Sequence, residues 1–356
     1  MTIGEEPKLI KTCNSAPKFK FKPKEFHRLV EILNLFTHNK RLSHMNGVNA
    51  YAFNGDLADL ERAVIRYTVS FLLQRGFVLI SVPDLLYSHV IERCGMQTRG
   101  PVSQVFHLNN FENEDVCLSG TAEMGIGGYL QDRIIEMKDL PMKLFAVSRC
   151  YRDERGCGAS EKGIYRIHVT FSFIRVPQFN KVEMFAVTAN ETGNESEELY
   201  QELIDIQTDL YSALDFQFKV IDMPLNDLGD QAYKKTDIEA WIPIQKIFGE
   251  ISSTSNCIDY QSRRLNIRYR NKAGDIKFAH TLNGTACATP RILIPMVSSN
   301  QTKDGDVLIP EALQPFFNYK HIIRKEKSFL QLKHFNSRTF TGEILQTNDE
   351  LEVDSV

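Results

Sequence analysis

From Asp56 onward the apolar positions keep a helical interval. Leu57, Leu60, Val64 and Phe71 fall on one side of DLADLERAVIRYTVSFLLQRG, and Gly76 stands where such a helix stops. The period then changes: FVLISVPDLL is rich in residues that favour strands, and Pro83 ends it. Strand patterns recur at SQVFHL, KLFAVSRCYRD, GIYRIH, KVEMFAV, QFKVIDMP, EISSTSN, RLNIRYRN and DIKFAHTLN, and a second long helix is predicted at NESEELYQELIDIQTDLYSALD. Strands outnumber helices and often follow one another directly. An α+β fold is therefore predicted, a mainly antiparallel sheet flanked by helices, in place of the alternating pattern of a doubly wound parallel sheet.

The two ends depart from this pattern. Residues 1 to 25 are Lys-rich and poor in apolar residues apart from FKFKPKEF, where Phe19 and Phe21 alternate as in a short edge strand or an extended arm; a tethered linker is the expectation. From Arg338 the sequence is polar and acidic and reads as a disordered tail. The chain shows no internal repeat.

With 356 residues and 42% hydrophobic content the chain can bury a substantial core as one large domain or two ordinary ones. Its 42 basic and 45 acidic residues leave a formal charge of -3, so there is no global attraction to nucleic acid, and any polyanion must be met by local patches. Seven cysteines (13, 94, 117, 150, 157, 257 and 287) are scattered, with no C-x-x-C pair and no His spaced to complete a zinc site. Free thiols in a reducing compartment, and no zinc, are expected. No secretory core follows Met1, no apolar run reaches membrane-spanning length, and the first 25 residues are too irregular for an amphipathic presequence.

Four strings combine strand patterns with charges that a purely structural sheet does not need. In LSGTAEMG, Thr121 and Glu123 fall on one side of an extended chain, or mark an ordinary exposed strand end. In SRCYRDERGCGASEKGIYRIH, Arg152 and Glu154 share a strand end before a loop holding Arg155 and Lys162. An Arg there can grip a phosphate through two N–H groups and a carboxylate can accept from an exocyclic amine, while the plain alternative is a solvated, salt-bridged hairpin. In GEISSTSNCIDYQSRRLNIRYR, Glu250 precedes a run of hydroxyls, a combination suited to a magnesium ion bridging phosphates or to a polar edge strand. In HTLNGTACATPRILIP, small residues (Gly284, Thr285, Ala286, Ala288) precede Arg291 and an apolar helix. They let a ligand approach the backbone, or simply let a strand and a helix pack closely.

Taken together and in this order, the four strings resemble the seryl-tRNA synthetases of class II, and the mitochondrial branch most closely, over residues 45 to about 317. The helix before Pro83 is similar to the family's dimer motif, CYRDE to its ATP-binding motif and NGTACATPR to its third signature. TAE, NKVEMF and EISSTSNCIDYQSRRLNIRYR resemble further signatures of the serine enzymes. The resemblance implies a homodimeric ligase in which serine attacks the α-phosphorus of ATP, giving seryl-adenylate and pyrophosphate, and the seryl group then passes to tRNA(Ser). It implies a catalytic domain at 45–337, a linker and extension at 1–44 and a tail at 338–356.

On the matching positions the resemblance assigns Arg152 to the α-phosphate and Glu154 to the adenine amine. Glu250 and Ser253 go to magnesium and phosphate, and Arg291 to the terminal phosphates; Arg152, Glu250 and Arg291 are the catalytic set. Asp153, Ile167, His168, Gln178, Phe179, Ile251 and Ser252 complete the ATP site. Thr121, Ala122, Glu123, Glu183 and Thr285 form the serine pocket, with carboxylates for the ammonium and hydroxyl. The implied partners are L-serine, ATP with Mg2+ at Glu250, tRNA(Ser) and a second copy of the chain, with no membrane; the implied location is the mitochondrion ahead of the cytoplasm.

Two departures accompany the resemblance. The family begins with a long coiled-coil arm that grips tRNA, and no heptads for it are present. IGEEPKLIKT resembles the linker after that arm, so Met1 is expected to be an internal start of a longer protein, leaving basic segments such as KFKFKPK and HIIRKEK to meet tRNA. The second departure is VTFSFIRVP, Val169–Pro177, whose removal restores GIYRIHQFNKVEMF as the family's strand reads. An odd insertion kept in register would turn Glu183 away from serine, so these nine residues are expected to bulge out, although their composition suits a strand. Thr-Phe-Ser-Phe can be encoded by a pyrimidine tract and Pro-Gln by codons ending in CAG, which points to a splicing origin. The insertion and the missing arm leave open a non-catalytic relative that binds RNA or a protein partner; a ligase for another small molecule on the same fold is a third reading.

Overall fold

The computed structural model describes residues 6–37, 42, 51–100, 103–108, 115–153 and 176–325. In chain order its main elements are β1 (Lys8–Cys13), α1 (Phe26–Ile32), α2 (Gly55–Gln74), β2 (Val78–Leu79), β3 (Leu85–Tyr87), α3 (Ser88–Arg93), β4 (Phe106–His107), β5 (Val116–Leu118), α4 (Ala122–Leu130), β6 (Met142–Tyr151), β7 (Gln178–Thr188), α5 (Glu195–Ser212), β8 (Phe218–Asp222), β9 (Lys234–Ile242), β10 (Ile247–Ile258), α6 (Tyr260–Leu265), β11 (His280–Thr289) and α7 (Leu293–Ser299). Eight strands form one sheet in the order β1-β8-β9-β10-β11-β7-β6-β2. Neighbours run antiparallel except β2, which lies parallel to β6. β3, β5 and β4 make a separate antiparallel sheet.

Both faces of the central strands are covered. On β7, Val182, Met184 and Ala186 enter one core with Leu57, Leu60 and Val64 of α2 and Leu203, Leu210 and Tyr211 of α5. The alternate residues Phe185 and Val187 enter a second core with Met124 and Ile126 of α4. The two-residue period of a strand thus sends Lys181 and Glu183 to the same side as Phe185, toward α4.

Helix α2 follows the predicted apolar spacing and ends before Gly76, whose φ of +80° needs a residue without a Cβ. Other elements differ from the pattern. Of FVLISVPDLL only Val78–Leu79 pairs with the main sheet, and Leu85 opens β3. RLNIRYRN divides: Leu265 closes α6, Asn266 turns the chain at φ +55°, and only Arg268–Arg270 is extended. Phe19 and Phe21 form no strand and pack edge to face at 5.2 Å. The edge strand of this region is β1 instead. Its side chains are mostly exposed and it is held by backbone pairing with β8, so it leaves no alternating pattern in the sequence.

The string GIYRIH, most of VTFSFIRVP and the tail from Arg338 lie outside the described residues. β7 starts at Gln178, directly after that nine-residue stretch, and the Arg152 N–H donates to Pro177 O at 3.0 Å. Six of the seven cysteines, 13, 94, 117, 150, 257 and 287, are free thiols. Among the described residues no helix is long and apolar enough to cross a membrane.

Candidate active site

Three register slips gather around the central strands. β11 carries an extra residue, Ala286, opposite Val182 and Glu183; β10 carries Ile251 opposite Ile238 and Glu239; and β10 slips again against β11 at Cys257. A bulge adds a residue to one strand, bends it and re-aims the side chains beside it. Here the slips adjoin a cavity of about 240 Å³ lined by Phe179, Lys181 and Glu183 of β7, Glu250, Ile251, Ser252, Ser253 and Ser255 of β10, and Asn283 and Thr285 of β11. Arg152, Arg291, Lys235, Thr121 and Glu123 also line it.

The extended-chain reading of Thr121 and Glu123 is corrected by the fold. Thr121 caps α4, its hydroxyl accepting from the Glu123 N–H at 3.2 Å, and Glu123 lies in the first turn, where a carboxylate is favoured by the helix dipole. Ala122, between them, packs into the core under the helix and does not line the cavity.

One group of side chains is acidic and rich in hydrogen bonds. Glu123 Oε1 accepts from Gln261 Nε2 and Asn283 Nδ2, both at 2.6 Å. Gln261 is itself fixed by the Thr281 hydroxyl at 2.8 Å and the Cys94 carbonyl at 3.0 Å. Burial, and then the charge of Glu183, push the Glu123 carboxyl up to about 7. Glu183 accepts from Lys181 Nζ at 2.7 Å and from the Thr285 hydroxyl at 3.0 Å. Two carboxylates and one ammonium, all buried, form a site for a small cation that also carries a hydroxyl.

A second group presents cations. The Arg152 guanidinium lies over the Phe179 ring at 5.4 Å, and its Nε is buried with no hydrogen-bond partner among the described residues. A buried N–H left without an acceptor is costly, so this atom suits an anion entering the cavity. Arg291 Nη1 lies 3.2 Å from Glu250 Oε1. Burial raises the Glu250 carboxyl, but the charges of Arg291, Lys235 and Arg152 hold it below the usual value, so it is ionised. On the neighbouring strand Asp237 accepts from Lys235 at 2.8 Å; burial, then the charge of Glu250, push its carboxyl up to about 7.

Behind the sheet, α5 holds the bulged backbone. Gln207 Nε2 donates to Ser252 Oγ at 2.8 Å and to Thr285 O at 2.9 Å, while its Oε1 accepts from the Thr254 hydroxyl at 2.7 Å. Tyr211 OH donates to Ala286 O at 2.8 Å. The strand that carries Thr285 is thereby tied to a helix on the opposite face.

Of the residues expected from sequence, Thr121, Glu123, Arg152, Phe179, Glu183, Glu250, Ile251, Ser252, Ser253, Thr285 and Arg291 line this one cavity. Asp153 and Gln178 do not; the Asp153 N–H donates to Gln104 O at 2.7 Å, and Gln178 O accepts from Tyr51 OH at 3.1 Å. Glu154, Ile167 and His168 lie outside the described residues. Sequence reasoning passed over Lys181, Lys235, Asn283 and Gln261. Lys181 carried a signal, since it stands two residues before Glu183 and so shares its face; the other three come from strands and a helix that only the fold brings together.

The sequence profile of the tRNA synthetase class II core domain (G, H, P, S and T) matches residues 106–300. The chain is 40% identical over 322 residues to the mitochondrial serine–tRNA ligase of Mus musculus, covering 90% of this chain and 60% of that protein. It is 39% identical over 316 residues to the serine–tRNA ligase of Treponema denticola, covering 88% of this chain and 71% of that one. The seryl-tRNA synthetase of Pyrococcus horikoshii complexed with ATP superposes with a TM-score of 0.78 at 32% identity, over 87% of this chain and 66% of that structure. The chain thus spans 60% of the length of its mitochondrial relative.

Proposed function

Because the chain belongs to the seryl-tRNA synthetase family of class II aminoacyl-tRNA synthetases, we propose that it activates L-serine with ATP and transfers the seryl group to tRNA(Ser). One observation carries the proposal: a pocket with Glu123, Glu183 and Thr285 opens into the same cavity as Arg152, Glu250 and Arg291. The ammonium and hydroxyl of serine fit the first group and the phosphates of ATP the second. The serine carboxylate then attacks the α-phosphorus, a P–O bond forms to serine, and the bond to pyrophosphate breaks.

In this reading Arg152, through its orphaned Nε, holds the α-phosphate and neutralises charge as the phosphorus becomes five-coordinate. Phe179, already under a cation, offers an aromatic face to adenine. Glu154 retains the adenine role, and Ile167 and His168 the place in the ATP site, that the family resemblance implies. Arg291 exchanges Glu250 for the terminal phosphates. The ionised Glu250, beside Ser253, fits a magnesium ion, which when bound supplies neutralisation of phosphate charge. The Thr285–Glu183 pair can exchange hydrogen bonds with the hydroxyl of serine and not with alanine; a site built to hydrogen-bond a hydroxyl discriminates by roughly 4–5 orders of magnitude in favourable cases. In the second step the terminal ribose hydroxyl of tRNA attacks the seryl carbonyl and AMP leaves, with no covalent bond to the enzyme.

The working unit proposed is the 45–337 domain as a homodimer. Val78 and Leu79 on the outermost strand, and Leu85 and Tyr87 after it, are exposed apolar side chains where a second copy can dock. The mitochondrial relative supports action in mitochondria. The basic segments KFKFKPK and HIIRKEK are proposed to meet tRNA.

Serine-dependent ATP–pyrophosphate exchange tests the proposal, measured on this chain and on one lacking Val169–Pro177. Exchange is expected in at least the shortened chain; silence from both, as folded proteins, would overturn the catalytic reading in favour of a binding module.

A further inference from the structure

The small sheet β3-β5-β4 carries a cluster that the cavity does not use. His107 ends β4, Asp115 precedes β5 and Cys117 lies within it. One ligand atom from each lies within 4.8 Å of the others. His107 Nδ1 is 2.9 Å from Asp115 Oδ1 and 3.5 Å from Cys117 Sγ. The other ring nitrogen, Nε2, is 2.6 Å from the carbonyl oxygen of Thr98. A carbonyl only accepts, so Nε2 carries the hydrogen, and in the neutral ring Nδ1 is a lone pair. That lone pair faces a carboxylate and a sulfur. A proton on Nδ1 donated to Asp115 holds such an arrangement, and so does a divalent cation lying among the three atoms.

We propose that His107 Nδ1, Asp115 Oδ1 and Cys117 Sγ form a site for one zinc-type divalent ion. The donor set of imidazole, carboxylate and thiolate is that of zinc, whereas magnesium and calcium take oxygen alone. Tetrahedral ligands at about 2.0–2.3 Å lie roughly 3.3–3.7 Å apart. The nitrogen–sulfur separation already meets this, and the nitrogen–oxygen pair needs to open by only a few tenths of an ångström. The Nε2 contact to Thr98 is the outer hydrogen bond that orients a ligating histidine. Arg99 donates to Asp115 Oδ2 and the Ser88 side chain also hydrogen-bonds this carboxylate, while Oδ1 faces His107 Nδ1, where the ion would lie. The His107 and Asp115 side chains are 33% and 34% exposed, so the ion enters from solvent and water can take the fourth position. Burial pushes the Cys117 thiol up to about 11, so binding releases its proton to solvent.

The site corrects the expectation of no zinc: His107 and Cys117 are ten residues apart on facing strands, with no C-x-x-C to mark them. An ion there ties β4 to β5. β5 leads through Ser119, whose hydroxyl donates to Thr121 O at 2.6 Å, into the cap of α4. The site is therefore a clip beside the serine pocket and takes no part in the chemistry.

The test is to strip the whole chain with a chelator and titrate it with Zn2+ and with Co2+. One ion per chain is expected, with a thiolate-to-cobalt charge-transfer band in the Co2+ form. Cys117→Ser should abolish that band, and His107→Gln or Asp115→Asn should weaken Zn2+ binding by roughly 10–100-fold. Wild-type protein that binds no ion, or that binds Co2+ without a sulfur band, would overturn the proposal and leave a proton on Nδ1 as the cation. So would a band that persists in folded Cys117→Ser. Should Cys117→Ser not fold, the band in His107→Gln decides: unchanged intensity and affinity would also overturn it.

Discussion

Glu123 receives two strong hydrogen bonds and is still pushed up to about 7, because burial and the charge of Glu183 outweigh them. The sign of the pH effect follows. The ordinary carboxyl value is 4.5, so the neutral acid is favoured in the folded protein; the stability this contributes is present below 4.5 and is lost as pH rises through about 7. Serine acts in the opposite direction, since its ammonium needs the carboxylate. Serine KM in the exchange reaction is expected to rise as pH falls below about 7, by up to about tenfold per unit. A KM that stays flat from about pH 6 to 8 would remove Glu123 from the ammonium site. Thr285→Val keeps the shape but deletes the hydroxyl that donates to Glu183. A hydrogen bond to a charged group contributes about 1.5–3 kcal/mol, so kcat/KM for serine should drop roughly ten- to a hundredfold with little change in ATP KM.

At the scale of elements, the bulges in β10 and β11 stand because α5 satisfies the backbone they free. Gln207 is fully buried and touches Ser252, Thr254 and the carbonyls of Ser253 and Thr285. Gln207→Leu preserves the helix and its apolar packing but strands Ser253 O and the Thr254 hydroxyl, at about 1–3 kcal/mol for each group left unpaired. The urea midpoint should fall and the serine KM should rise, while Gln207→Glu, which keeps the acceptor for Thr254 but turns a second acceptor toward the Ser253 and Thr285 carbonyls, should lose more. A pure packing role predicts equal losses in the two variants. The helices α2 and α5 were legible because their apolar spacing is intrinsic to the segment. β1 was not, because an edge strand held by backbone pairing needs no side-chain pattern. The cap at Thr121 was misread because two residues apart on a strand and on a first helical turn look alike in a short string.

At the scale of the whole molecule, the outermost strand β2 exposes Leu79 by 46%. If a second copy covers this edge, Leu79→Glu buries a charge in the interface, and sedimentation should show a shift from dimer toward monomer with loss of exchange activity. A wild-type chain that sediments as a monomer while active would remove the dimer from the proposal. The amino-acid order by itself determined the fold class, the two long helices and most of the charged positions that reach the cavity, since period and residue type are local properties. It could not decide that Lys235, Gln261 and Asn283 join those positions, that Ala122 turns away, or that His107, Asp115 and Cys117 meet. Those outcomes depend on strand register, bulges and facing hairpin strands. Register is fixed by burial of both faces at once, a condition that exists only when the whole sheet is assembled.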